Sequence, residues 1–213
     1  MPPPTDTEIL GDVQYALLEP VDGGLTWPSG LWLLAEVRAA INQAQNEYLR
    51  DTGCLLTHTT IAAVPMVTRH ALPTDWMITA RLAWIAADGT IREIPPGDDV
   101  EADLGFPEWE STGAPRPQLW TDASEPTLQL QTMPGANQVG TLDLLYVALG
   151  TVLTGLGTPL TVPEDATPYV KWRMIGILLE KLGRATDVEA AQYCRQRYQE
   201  GVAAMQVVLG GWS

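Results

Sequence analysis

The sequence predicts an α+β protein, in which helices from the two ends of the chain form an antiparallel bundle and an antiparallel β domain is inserted between them. Near both ends, apolar residues recur every three or four positions, as they do on the buried side of a helix. The long central region instead contains β-branched runs, alternating leucines and turn residues. We therefore expect a helical bundle domain of residues 1–54 and 163–213 and an inserted β domain of residues 55–162.

Two helices are predicted before residue 55. Thr5 and Glu8 have the spacing of a capping box, and the apolar positions that follow them keep helical spacing to about Glu19. A longer amphipathic helix is predicted from near Ser29 to Gly53, because a glycine at this point is a common helix terminator. Its apolar side steps by three and four through Leu34, Val37, Ile41, Ala44 and Tyr48.

The β domain is predicted from strand-like runs with turn residues between them. The runs are "LLTHTTIAAVPMV", "PQLWT", "TLQLQ" and "TLDLLYVAL", and Asp88-Gly89 marks a hairpin turn. Residues 95–117 hold six acids, five prolines and no basic residue before Arg116. We expect this acidic, proline-rich segment to be a long surface loop with at most one helical turn.

Two further helices are predicted after Asp165. The first ends at Gly183, and Thr186 with Glu189 forms a second capping box that opens the last helix. Apolar positions in the last helix step by three and four, which predicts one buried side formed by Ala191, Cys194, Tyr198, Gly201, Met205 and Val208.

Charge and cysteine content exclude several classes of protein. The net charge is −14, and a protein this acidic does not wrap tightly around nucleic acid, which needs many Lys and Arg side chains. Cys54 and Cys194 lie far apart, so we expect no disulfide framework and a reducing cytosol. The start "MPPPTDTEIL" has no secretion signal, and no apolar run reaches the roughly 18 residues of a membrane span.

No motif indicates a catalytic, cofactor or metal site. Cys194 beside Arg195 and Arg197 suggests an activated thiol, but the helical period places the cysteine on the apolar side and the arginines elsewhere. His58 and His70 lack metal-ligand spacing, and we expect both on the surface or in a turn. "DDVEAD" lacks the pattern of a calcium loop, and no lysine follows the glycines of "GTVLTGLGT", as a phosphate loop requires.

The order of four segments resembles a known family. They are "LLAEVRAAINQAQNEYLRDTG", "LPTDWMITARLAWIAADGTIREIP", "PQLWTDASEPTLQLQTMPG" and "PYVKWRMIGILLEKLGRATDVEAAQYCRQRYQEGV". The matching features are an "xLPxD" turn, a strand pair around the alternating leucines, and a final "A.Y...RY.EGV" helix. From about residue 29 to 208, the chain resembles the head-to-tail connector (adaptor) proteins of tailed bacteriophages, of the tail-tubular-protein-A-like type.

The resemblance implies a structural virion protein in the neck of the particle, assembled in the host cytoplasm. It implies a ring of twelve copies that binds the portal protein on one side and a downstream tail or nozzle protein on the other. The helical domain would approach the channel, and the β domain would face outward or toward the tail. DNA would pass through the lumen without specific binding, and no membrane, cofactor or enzymatic activity is implied.

The last helix is the expected contact region. Because "GGWS" follows it almost at once, we expect no long C-terminal extension around the portal. The residues expected to contact the portal or a neighbouring subunit are Arg195, Arg197, Tyr198 and Trp212.

Two other functions stay open. One is a tail-associated hydrolase of the bacterial cell wall, which a peptidoglycan zymogram would reveal. The other is an oligomeric minor capsid or baseplate component whose β domains form the ring contacts, which imaging of assembled particles would distinguish.

Overall fold

The fold is α+β, as predicted, with helices at both ends of the chain and antiparallel sheets between them. The structure is a computed structural model, and it describes residues 4–24, 26–105, 113–124, 127–132, 134–183 and 186–210. The elements in chain order are α1 (Asp6–Ala16), α2 (Leu34–Thr52), β1 (Leu56–Ala63), β2 (Arg69–Ala71), β3 (Trp76–Ala86), β4 (Ile91–Ile94), α3 (Asp99–Gly105), β5 (Leu119–Ser124), β6 (Thr127–Gln131), β7 (Gly140–Ala148), α4 (Thr167–Leu179) and α5 (Val188–Val208).

The chain divides into two compact units. The helical unit comprises residues 1–55 and 149–213, and the β unit comprises residues 56–148. The sequence prediction placed residues 149–162 in the β domain, whereas the structure groups them with the helices. Three side-chain amides of α2 explain this grouping, because they form hydrogen bonds with the backbone of the segment. Asn46 binds residue 150, Gln45 binds residues 151 and 161, and Asn42 binds residue 153.

Local side-chain contacts set the helix ends. Glu8 Oε2 accepts the Thr5 backbone N–H over 2.7 Å at the start of α1, as predicted. Gly53 ends α2 with a φ of 64°, which favours glycine. However, α2 begins at Leu34 rather than near Ser29, because Glu36 Oε2 accepts the Leu33 N–H over 2.7 Å.

The start of α5 differs from the prediction by one residue. Asp187, not Thr186, is the N-cap, and its Oδ1 accepts the Ala190 backbone N–H over 2.9 Å. The Thr186 hydroxyl instead donates to the carbonyl of Lys181, in the turn after α4.

The helical core is formed where α4 packs against α2 and α5. The predicted apolar side of α2 is confirmed for Val37, Ile41, Ala44 and Tyr48, all of which are fully buried. In α5, the prediction holds for Ala191, Cys194, Tyr198 and Gly201 and is wrong for Val208, which lies exposed beyond the last packed turn.

The β unit contains two antiparallel sheets. The larger has the strand order β1-β7-β3-β4 and the smaller the order β2-β6-β5. The predicted hairpin joins β3 to β4, and Gly89 occupies its turn with a φ of 82°. One side of the larger sheet is apolar and buried, through Leu82, Trp84, Leu142 and Leu144.

The acidic segment after β4 is more helical than predicted. The seven residues of α3 make about two turns rather than at most one. Asp98 Oδ1 accepts the Glu101 backbone N–H over 2.7 Å, which caps the helix start. Residues 106–112 of the predicted loop lie outside the described residues.

None of the described helices is both long enough and apolar enough to cross a membrane.

Candidate interaction surface

Arg195 and Arg197 lie on different sides of α5. Arg195 Nη2 contacts Glu180 Oε1 over 2.6 Å and so ties α5 to the end of α4. Among the described residues, Arg197 makes its polar contacts within its own helix, with Nη1 at 2.9 Å from Glu200 Oε2 and Nε donating to the Tyr193 hydroxyl over 3.0 Å. The hydrogen bond with Tyr193 and then the Glu200 carboxylate raise the pKa of Arg197, so its charge is permanent.

Tyr198 and Trp212 are not part of the described surface. Tyr198 is 5% exposed, and its hydroxyl donates to Asp51 Oδ2 over 2.7 Å. Burial, and then the hydrogen bond to Asp51, raise the pKa of Tyr198, so its phenol stays neutral. Its ring packs edge-to-face on Tyr48 at a centroid distance of 6.2 Å. Tyr198 therefore joins α5 to α2 in the core, and Trp212 lies outside the described residues.

The end of α5 presents an apolar surface that the sequence reasoning missed. Residues 201–210 contain no charged side chain. Val207 and Val208 are 81% and 79% exposed, and Ala203, Ala204 and Leu209 are exposed beside them. We call residues 203–209 the α5 tip. The run of ten uncharged residues at the end of a helix could have indicated this exposed surface. The prediction used helical periodicity alone, which assigned Val208 to the core.

Arg197 shares one side of the helix with Ala204 and Val208 of the α5 tip. Residues 193, 197, 200, 204 and 208 step by three and four, so they form one continuous stripe. Along this stripe, Tyr193, Arg197 and Glu200 are exposed and polar, and they give way to Ala204 and Val208. The stripe therefore offers a charged and aromatic half and an apolar half to a partner.

Cys194 has the environment of a core residue rather than a nucleophile. It is 3% exposed and faces Gly176 of α4. Burial, and then the charge of Asp187, raise the pKa of its thiol, so the reactive thiolate is disfavoured. The predicted buried position of Cys194 is thus confirmed.

The glycine-rich segment before α4 binds a carboxylate of the chain itself. Asp6 is fully buried, and its two oxygens accept the backbone N–H groups of Gly155, Gly157 and Thr158 over 2.7, 2.8 and 3.0 Å. Backbone N–H groups that converge in this way form a nest for an anion. Because Asp6 fills the nest, this segment is an internal clamp between α1 and the loop before α4.

The two histidines have different surroundings. His58 is exposed on β1 and contacts Asp143, which also accepts from Arg81 Nη2 over 3.1 Å. His70 was predicted on the surface or in a turn, but it is buried in β2, where it pairs with Leu128 of β6. Burial lowers the pKa of His70. Within the described ranges, no three His, Cys, Asp or Glu side chains are grouped as a metal site requires.

Comparison with protein families identifies the chain. The model of the SU10 adaptor protein family matches residues 7–211, which is nearly the whole sequence. The chain belongs to the SU10 adaptor protein family. No curated protein matches it.

Membership makes the chain a bacteriophage adaptor and a structural component of the virion, whose partners are other head and tail proteins. The resemblance drawn from four sequence segments is therefore confirmed at the level of a phage adaptor protein. The match spans the helical unit and the β unit alike, so both are part of the adaptor fold.

Proposed function

We propose that the adaptor forms a ring of twelve copies under the portal, joins the capsid to the tail and lines part of the DNA channel. This corresponds to a head-to-tail connector of the tail-tubular-protein-A-like type, located in the neck of the virion. The observation that carries the proposal is the family match over residues 7–211, because it extends across both units. A downstream tail or nozzle protein would bind on the side opposite to the portal, and we assign the β unit to that side.

We propose that the portal contacts the stripe of α5 formed by residues 193, 197, 200, 204 and 208. Large apolar side chains exposed together mark protein interaction sites, and the α5 tip is such a cluster. Arg197 would add a charged contact at the edge of the apolar area, where it would favour correct orientation more than affinity. Trp212 follows the tip in sequence and is proposed to extend the same contact. Arg195 is proposed as a contact with a neighbouring subunit.

Charge supports a channel that does not retain DNA. Each copy has a formal net charge of −14, so twelve copies would carry about −168. DNA has one negative charge per about 1.7 Å of its axis and is repelled by such a ring. The genome would therefore pass the adaptor without binding to it.

A non-enzymatic role is also proposed. Among the described residues, the one cysteine near arginines is buried with a raised pKa, and the glycine-rich loop is filled by Asp6. These contacts stabilise the fold and leave no activated nucleophile there. A peptidoglycan zymogram with the purified adaptor is expected to show no clearing, and a clearing zone would contradict this proposal.

Binding to a portal ring tests the main proposal. The purified adaptor is mixed with portal rings, and the complexes are counted by native mass spectrometry and imaged. We expect up to twelve adaptors on one face of each portal ring. An adaptor that stays monomeric and unbound would overturn the proposal.

A matched pair of variants tests the contact surface. Val207→Asp with Val208→Asp should reduce portal binding at least tenfold, because two charges would be buried in an apolar contact. Val139→Asp with Val152→Asp, at similarly exposed valines elsewhere, should leave binding unchanged. Equal binding by both variants would exclude the α5 tip as the portal contact.

A further inference from the structure

A cleft in the β unit carries two arginines and, among the described residues, a single acid, Asp88, which interacts with Arg92 electrostatically. It has a volume of about 370 Å³ and lies between β3, β4 and residues 115–118. Arg92 and Arg116 line it, and neither guanidinium forms an ion pair with any residue that the structure describes. Asp88 also accepts the Thr90 N–H over 2.9 Å. Counted over its described lining residues, the cleft is therefore net positive on a strongly acidic protein.

The wall of this cleft is partly apolar. Trp84, Ala86 and Pro115 line it beside the two arginines. Two guanidinium groups next to an apolar wall suit a segment that presents carboxylates and apolar side chains together, because arginine binds carboxylates in a fixed geometry. The chemistry thus selects an acidic amphipathic peptide.

Helix α3 has this combination. Asp98, Asp99, Glu101 and Asp103 place four acids within six residues. Val100 and Leu104 are four residues apart, so they lie on one side of the helix, and they are 66% and 82% exposed. A seven-residue helix has little stability by itself. Its only large apolar side chains are exposed, so their burial adds no stabilisation. Contact with a partner would supply the missing stabilisation.

The same copy does not use α3 to fill its own cleft. Of the described residues that line the cleft, none belongs to α3. The chain entering α3 is fixed to β5, because Gly97 N–H donates to the Trp120 carbonyl over 2.9 Å and Trp120 N–H donates to the Pro95 carbonyl over 3.2 Å. Helix α3 therefore projects from an anchored base and leaves its apolar pair exposed.

We infer that α3 of one copy docks into the Arg92–Arg116 cleft of the next copy, which rests on the ring proposed above. Val100 and Leu104 would pack on the apolar wall, and Glu101 and Asp103 would face the guanidinium groups. Copies that each carry a net charge of −14 repel one another, so a ring needs local contacts of opposite charge. Since α3 and the cleft are different surfaces, the contact is head-to-tail and can continue from copy to copy until a ring closes.

Charge reversal tests the contact. Arg92→Glu with Arg116→Glu should reduce assembly at least tenfold, and so should Glu101→Lys with Asp103→Lys. The fourfold variant that combines both pairs reverses both surfaces, so assembly should recover to within about threefold of the unmodified adaptor.

The control variant, Arg50→Glu with Arg69→Glu, changes the net charge as much as the cleft variant and should reduce assembly far less. Assembly is measured on portal rings by native mass spectrometry, after circular dichroism has verified that each variant is folded.

Cross-linking between copies gives a second measurement. A tagged copy with Pro115→Cys and an untagged copy with Leu104→Cys are assembled on portal rings and treated with a short bis-maleimide. We expect a product of one tagged and one untagged chain. If the unmodified adaptor assembles while this product is missing and all charge variants assemble equally, the inference is overturned and the ring proposal stands. If the unmodified adaptor never assembles, both are overturned.

Discussion

Tyr198 donates its phenolic hydrogen to Asp51 Oδ2 over 2.7 Å and thereby joins the last helix to the end of α2. These residues are 147 positions apart, so the bond links the two ends of the chain. The β unit is inserted between them in the sequence, and the bond joins the two parts of the chain that form the helical unit.

Removing this hydrogen bond should destabilise the helical unit. Tyr198→Phe keeps the ring and removes the donor to Asp51 Oδ2, while Arg50 Nε still donates to Oδ1; the carboxylate is partly exposed, so water can replace the hydroxyl. We expect a loss of about 1 kcal/mol in the free energy of unfolding, measured by urea titration with circular dichroism. Tyr193→Phe on the exposed side of α5 is the control and should cost less than about 0.5 kcal/mol. Equal losses in the two variants would contradict the structural role of Tyr198.

A glycine of α5 should tolerate no side chain. A Cβ on Gly201 would lie 2.0 Å from Cγ of Tyr169, so Gly201→Ala forces the ring to move. The expected cost is about 1–3 kcal/mol, since overpacking outweighs the gain in helix propensity. Gly11→Ala in α1 is the matched substitution, because its Cβ would lie 3.6 Å from Val21, an ordinary contact. It should stabilise the protein by up to about 1 kcal/mol. Thermal unfolding would show whether Gly201→Ala lowers the stability while Gly11→Ala raises it.

Much of the fold follows from local pattern. Gly53 and the Asp88-Gly89 turn were predicted because such positions need particular backbone angles. The buried positions of Cys194 and Tyr198 follow from helical periodicity. Periodicity failed at Val208, because it describes which residues share a side and not whether another element covers that side.

Contacts distant in sequence could not be predicted in this way. Asp6 meets the backbone of residues 155–158 only in the folded chain, and no motif connects an aspartate near residue 6 with that loop. His70 looked like a turn residue, because its burial depends on the pairing of β2 with β6. The positive cleft likewise brings together Arg92, which precedes the acidic segment, and Arg116, which lies near its end.

The carboxylate of Asp6 should be required for the clamp. Asp6→Asn keeps one acceptor oxygen and turns an NH₂ group toward backbone N–H donors. Because buried, charge-assisted hydrogen bonds are lost, we expect a cost of about 2–3 kcal/mol in urea unfolding. Asp12→Asn is the control: its exposed carboxylate contacts Lys171 over 3.0 Å, and its loss should cost less than about 1 kcal/mol. A small effect at Asp6 would show that the nest does not need the charge.

Acid should destabilise the β unit through His70. Burial lowers its pKa in the folded state, so below about pH 6.5 the unfolded chain binds a proton that the folded chain excludes. The free energy of unfolding therefore keeps its full value above the ordinary histidine pKa. It falls as the pH drops toward the lowered pKa of His70 in the folded state.

His70→Leu removes this titration and also removes Nε2, which has no hydrogen-bond partner among the described residues. Relative to the unmodified adaptor, the variant should gain stability steadily as the pH falls from about 7.5 to 5. Hydrogen exchange of the β2 and β6 amides at several pH values would measure the difference, with pH 7.5 as the reference condition. A constant difference across this range would mean that His70 is protonated equally well in the folded and unfolded chain.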